Sequence, residues 1–235
     1  LARPLDGPVC PSCWAAVVAP APPLCEVCGD QLEEWRPVTT QCPRCRRGDR
    51  GFHMARAMGT YDGTLKALIH ACKYGRHRGV GAQLSERMRA QGAVVLAGAD
   101  AVVPVPLHPW RQVQRGFNQA DDLTVGLGLP VWRVLRRTRL GHIQASLPVS
   151  RRHANVRGAY AEGWRHRISG TPRVGGAVIV LVDDVMTTGA TLSACARTLR
   201  RMGAREVRAL TAARAVAGPR HPPPPPPHPS TVRRQ

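Results

Sequence analysis

The sequence predicts an α/β fold, a parallel sheet flanked by helices, with a metal-binding cysteine-rich segment before it and a disordered Pro-rich tail after it. Three observations predict this. Short β-like runs alternate with helix-periodic stretches between residues 54 and 211, the pattern of strand–helix–strand units. Residues 175–182 form a continuous apolar run, as expected of a central strand covered on both faces. Six of the eight cysteines fall in three Cys-x-x-Cys pairs within the first 45 residues, and six consecutive prolines, Pro222–Pro227, sit near the other end.

Each element has its own signal. Residues 54–61 read as a strand ending in the turn Asp62-Gly63. A helix follows, with Leu65, Leu68, Ile69 and Cys72 on one stripe at spacings of three and four. Residues 80–90 read as a second helix, 101–105 as a buried strand closed by Pro104 and Pro106, and 118–127 as a third helix. Residues 191–202 form a helix with Leu192, Cys195, Ala196 and Leu199 inward, stopped at Gly203, and 207–211 are the last strand. These readings divide the chain into residues 1–50, a zinc-ribbon domain; 51–217, the α/β domain; and 218–235, a tail that has no means of burying surface.

The cysteines argue for metal. A disulfide framework needs a secretory context, and no leader opens the chain. A Cys-x-x-Cys turn aims two thiolates at one tetrahedral ion, and gaps of eleven and thirteen residues between the pairs have zinc-ribbon length. Redox-active or idle thiols are the alternative. Structural Zn²⁺ is assigned to Cys25, Cys28, Cys42 and Cys45. Cys10 and Cys13 are then half of a second site, whose other pair would lie upstream of Leu1.

Charge bounds the partners. The net charge is +19, from thirty-four basic and fifteen acidic residues, and only Lys66 and Lys73 among the basic ones are lysine. Such a balance attracts phosphate, nucleic acid or anionic surfaces. A hydrophobic fraction of 43% supports a real core. No apolar run approaches the roughly 18 residues of a membrane span, so the expectation is a cytoplasmic protein without membrane insertion.

The chemistry concentrates after the apolar strand, at Asp183-Asp184-Val185-Met186-Thr187-Thr188-Gly189-Ala190-Thr191. Hydroxyls, a glycine and a helix N-terminus make a phosphate cradle, because exposed N–H groups and the helix dipole favour an anion there. The adjacent carboxylates accept hydrogen bonds and repel phosphate; they suit vicinal ribose hydroxyls or a hydrated Mg²⁺. A phosphate beside a diol describes a ribose 5-phosphate. Sheet ligands gather beyond the carboxyl ends of strands, where this loop lies.

This run resembles the signature by which type I phosphoribosyltransferases bind phosphoribosyl pyrophosphate (PRPP). Together with the three Cys-x-x-Cys pairs, Lys73-Tyr74-Gly75, Val103-Pro104-Val105-Pro106, Arg115-Gly116-Phe117-Asn118-Gln119 and Arg137-Thr138-Arg139, it resembles the ComF family over about residues 9–214. That resemblance implies a type I phosphoribosyltransferase-like sheet behind a double zinc ribbon, although the first of the family's four Cys-x-x-Cys pairs is absent here. It implies that Asp183 and Asp184 hold the ribose hydroxyls and that Thr187, Thr188, Gly189, Ala190 and Thr191 hold the 5-phosphate of PRPP, with Mg²⁺ accompanying it. Arg115, Arg111 and Lys73 are the candidates for pyrophosphate, with a solvated basic face or a helix end as the alternative.

Residues 133–173 hold ten arginines and one acid, Glu162. They read as a flexible loop closing over PRPP, or as a groove that follows single-stranded DNA through residues such as Arg151 and Arg152. Trp132, Tyr160 and Trp164 are the nearby aromatics, too few for a clear stacking platform. The histidines at 108, 142, 153 and 166 have no partner at a telling spacing. The family resemblance implies an accessory of DNA uptake or DNA handling in natural competence, with PRPP, single-stranded DNA and a helicase-type uptake protein as partners. The alternative is an active phosphoribosyltransferase with an unidentified base or nucleotide-related acceptor.

Overall fold

The computed structural model describes residues 9–32, 39–74, 78–107, 118–138, 158–163 and 173–215. Among these, four strands form one parallel sheet: β1 (Met54–Thr60), β2 (Ala101–Pro104), β5 (Val178–Met186) and β6 (Glu206–Arg214), in the order β1-β6-β5-β2. Val178, Ile179, Val180 and Val182 are β-branched and almost wholly buried, which suits a central strand packed on both faces. The register pairs Val103 with Leu181, Asp183 with Thr211, and Met54 with Arg208.

Alternation along these strands feeds two cores. Ile179, Leu181, Val207 and Ala209 face helix α7 (Ala190–Arg201), which buries Leu192, Cys195, Ala196 and Leu199. Val180, Val182, Leu210 and Ala212 face α3 (Gly63–Tyr74) and α4 (Arg78–Gln91) through Leu65, Leu68, Ile69, Val80, Leu84 and Met88. Fully burying one such Leu or Ile is worth about 1.5–3 kcal/mol.

The cysteine-rich segment is built into both cores. Cys25, Cys28, Cys42 and Cys45 pack in the first, while Val9 and Trp14, the latter on the short helix α1 (Pro11–Ala15), pack in the second. The segment also covers the outer edge of β1. Ala55 N–H donates to the Val27 carbonyl at 2.7 Å and Thr60 N–H to the Val18 carbonyl at 2.8 Å, satisfying edge groups that would otherwise lie open. A second short turn, α2 (Pro43–Arg46), carries Cys45.

Two expected elements are corrected. The central strand begins at Val178, not 175, because Gly176 turns the chain at φ +81° and donates to the Gly203 carbonyl. It then continues past 182, since Asp183, Val185 and Met186 keep their pairing with β6. The helix expected over 118–127 is only one turn, α6 (Gln119–Asp122). Ser85 ends it: its hydroxyl donates to the Leu123 carbonyl at 2.7 Å and accepts from Gly126 N–H at 2.8 Å, drawing that backbone out of helical register. Unforeseen elements are the short helix α5 (Ala93–Leu96) and an antiparallel ribbon of β3 (Leu135–Arg137) and β4 (Tyr160–Glu162), which packs on α7.

Candidate functional site: the carboxyl end of the central strand

The strand extension places Asp183 and Asp184 on the last part of β5, in the ladder rather than in a loop. Asp184 N–H donates to Asp183 Oδ1 at 2.9 Å. Burial, then the charge of Asp184, pushes the Asp183 carboxyl up to about 8; the Asp184 amide, Lys73 and Arg137 act against that rise. Lys73, at the end of α3, sets its Nζ 2.9 Å from Asp184 Oδ2, with the two side chains 16% and 20% exposed. The lysine singled out from sequence therefore meets the acidic pair directly.

Beyond Met186 the chain turns through Thr187 and Thr188 to Gly189, the N-cap of α7, in the left-handed region at φ +74°. A non-glycine residue is strained there. Thr188 Oγ1 accepts from Ala190 N–H at 3.3 Å, and Ser193 N–H donates to the Gly189 carbonyl at 2.9 Å. A Cβ on Gly189 would lie 2.6 Å from Arg50 Nη2 and 2.8 Å from Met186 Cε.

Two residues of the β3–β4 ribbon join this site. The Arg137 guanidinium stands 5.7 Å from the centroid of the Tyr160 ring and acts electrostatically on Asp183. Burial pushes the Tyr160 phenol up, and a hydrogen bond with the Thr191 side chain offsets part of the rise. Arg137 belongs to a motif quoted from the sequence, but its place beside the acids was not foreseen; the ribbon that carries it has strands of three residues. Arg111 and Arg115, the arginine-rich stretch around Arg151 and Arg152, Trp164, the histidines at 108, 142, 153 and 166, and the proline-rich tail lie outside the described residues.

The cysteines assigned to metal come together. The sulfurs of Cys25, Cys28, Cys42 and Cys45 all lie within 4.8 Å of one another, and all four residues are buried. Cys28 and Cys42 sulfurs are 3.6 Å apart. Tetrahedral Zn²⁺ with Zn–S near 2.3 Å requires sulfurs about 3.8 Å apart, so this donor set fits a structural zinc. Outer contacts orient the ligands: Cys42 N–H donates to Cys25 Sγ at 3.3 Å, and Arg214 Nη1 donates to the Cys28 carbonyl at 2.7 Å. Cys10, the N-cap of α1, and Cys13, within it, stand apart from this group, the first exposed and the second partly so.

A cleft of about 290 Å³ lies elsewhere. It opens at the starts of β1 and β6 and is lined by Asp49, His53, Arg200 and Arg205, among others. No helix among the described residues is long and apolar enough to cross a membrane.

Comparison with known proteins agrees with the strand–loop–helix reading. The Phosphoribosyl transferase domain family matches residues 138–225. Competence protein F of Haemophilus influenzae is 28% identical over 203 residues, covering 82% of this chain and 85% of that protein. DNA utilization protein YhgH of Salmonella typhi is 31% identical over 210 residues, covering 85% and 87%. Competence protein ComFC of Bacillus subtilis is 27% identical over 206 residues, covering 84% and 80%. With a parallel sheet, a buried four-cysteine cluster and a phosphoribosyltransferase domain in one chain, this protein belongs to the ComF family.

Proposed function

We propose that the chain binds PRPP with Mg²⁺ at the carboxyl end of β5 and uses that site as an accessory of DNA uptake or DNA handling. The observation that carries this reading is the juxtaposition of a carboxyl pair with a hydroxyl-rich loop whose glycine caps α7 at positive φ. Each part has a separate task. Asp183 and Asp184 accept hydrogen bonds from the ribose hydroxyls. The 187–191 loop offers N–H and hydroxyl donors to the 5-phosphate at the helix N-terminus. Lys73 exchanges Asp184 for the pyrophosphate, and Arg111 and Arg115 supply planar donors to the same group. Two carboxyls at one strand end suit a cation that keeps most of its waters, so Asp183 and Asp184 would hold Mg²⁺, whose charge would offset that of the pyrophosphate.

The DNA half of the proposal is supported by relatives named for competence and for DNA utilization, and by the net charge of +19. It includes single-stranded DNA and a helicase-type uptake protein as partners, a cytoplasmic setting, and the division of the chain near residues 50 and 217. Calorimetric titration of PRPP with Mg²⁺ tests the binding site. Heat of binding from the native protein, lost in Asp183→Asn/Asp184→Asn, is expected. No heat from the native protein, or equal affinity in the double variant, rejects it.

A further inference from the structure

Arg50 lies outside every motif discussed so far, five residues after the metal ligand Cys45. The stretch around it is strapped to α7. Asp49 Oδ2 is 3.6 Å from Arg200 Nη1, the Asp49 carbonyl accepts from Arg197 Nη1 at 3.4 Å, and Gly51 turns at φ +76° against Ser193 and Arg197. From that strap the Arg50 side chain reaches the start of α7. Its Nη2 donates to the Thr188 carbonyl and fills the space that a Cβ of Gly189 would take. Its Nε is buried with no hydrogen-bond partner. The guanidinium meets a carbonyl of the loop, and so bears on the loop's shape.

A second arm reaches the same loop from the other side. Arg214 donates to the Cys28 carbonyl at 2.7 Å and lies 3.7 Å from Cys28 Sγ. Its backbone pairs with Met186, and Ala215 N–H donates to the Met186 carbonyl at 3.0 Å. The Met186 methyl in turn lies against Gly189. The Arg214 arm begins on Cys28 and the Arg50 arm five residues past Cys45, and both end on residues 186–189.

We propose that Arg50 is a positioning residue through which the metal-bound cysteine cluster sets the shape of the 187–191 loop, so that metal occupancy and PRPP affinity are coupled. The coupling rests on the PRPP reading only for its ligand; the mechanical link stands on the contacts of Arg50 and Arg214. By reciprocity, PRPP at the loop makes the metal harder to remove.

The test uses the full zinc-loaded chain, with Arg50→Ala and Arg50→Lys, and reads amide hydrogen exchange over residues 186–192, zinc content and calorimetric affinity for PRPP with Mg²⁺. Expected in Arg50→Ala is unchanged zinc content with about tenfold faster exchange in that segment and about tenfold weaker PRPP binding, partly restored in Arg50→Lys. Zinc removal by a chelator should accelerate the same amides in the native chain and act more weakly in Arg50→Ala, where only the Arg214 arm remains. Exchange that is identical in Arg50→Ala and the native chain overturns the proposal, as does zinc removal acting equally on both. A native chain that gives no heat with PRPP defeats the binding reading alone, and the exchange arm still decides the coupling.

Discussion

Arg214 offers the sharpest test of how the cysteine cluster is joined to the sheet. Its side chain is 3% exposed, and it holds Asp30 at 3.1 Å and 3.3 Å while donating to the Cys28 carbonyl. Arg214→Ala leaves that carbonyl and the Asp30 carboxylate without their donor. Removing one member of a buried ion pair costs about 3–5 kcal/mol. Asp30 is 23% exposed, and water recovers part of the loss, which brings the expected cost to about 2–4 kcal/mol. For a chain of this size each kcal/mol lowers Tm by about 2–4 °C, so the drop is about 4–16 °C. Thermal unfolding of the zinc-loaded protein measures it, and a chromogenic chelator measures zinc release in parallel. Release should be faster in Arg214→Ala, because Cys28 loses the group that orients it. Asp30→Asn keeps an acceptor for the guanidinium and should cost less. A drop under about 2 °C with unchanged zinc release refutes the reasoning.

Other predictions address protonation, thiols and metal. Asp183 has its carboxyl raised from the ordinary 3.8 to about 8, so the folded state binds the proton more tightly than the unfolded state. Its contribution to stability is therefore full below about 4 and is lost as pH rises through about 8. Tm across that window should fall less steeply in Asp183→Asn, and an equal slope in both proteins counts against the assignment. Ser12, the Cys13 amide and the Cys13 thiol lower exposed Cys10 to about 7, whereas burial pushes Cys72 up to about 12. Iodoacetamide near neutral pH should label Cys10 well before Cys72 or buried Cys195, read by peptide mass spectrometry; comparable rates would contradict the burial. Chelation of zinc should lower Tm by more than Leu199→Ala, a core truncation worth about 2–5 kcal/mol, because four buried thiols lose their common partner.

Much of the fold was legible because the helices and strands that build the core carry strong periodic signals. Leu192, Cys195, Ala196 and Leu199 are the buried stripe of α7, as their spacing indicated, and Gly203 turns the chain after it at φ +93°. The apolar run marked the central strand but not its ends. Where β5 starts depends on a turn at Gly176, and how far it runs depends on pairing with β6, which no local pattern encodes. Helix α6 failed for a related reason: Ser85, some forty residues away, competes for its backbone. At the site, the acids and the loop were readable as one contiguous run. Lys73, Arg137 and Tyr160 reach it from separate elements, and Arg50 bonds to a residue 138 positions away. The cysteine pairs were legible from the sequence, and the assignment of metal to Cys25, Cys28, Cys42 and Cys45 agrees with their clustering. Both gaps have zinc-ribbon length, so spacing alone did not set these four apart from Cys10 and Cys13. The packing of the four into the same core as β1 and α7 was not legible, since it depends on tertiary contacts.

The central claim is that PRPP sits at the carboxyl end of β5, and a crystal structure of the zinc-loaded chain with PRPP and Mg²⁺ tests it most directly. The account predicts the 5-phosphate against the backbone N–H groups of residues 187–191 and ribose hydroxyls within hydrogen-bond distance of Asp183 and Asp184. Density for PRPP in the cleft beside His53, Arg200 and Arg205, with Lys73 still paired to Asp184, would contradict it.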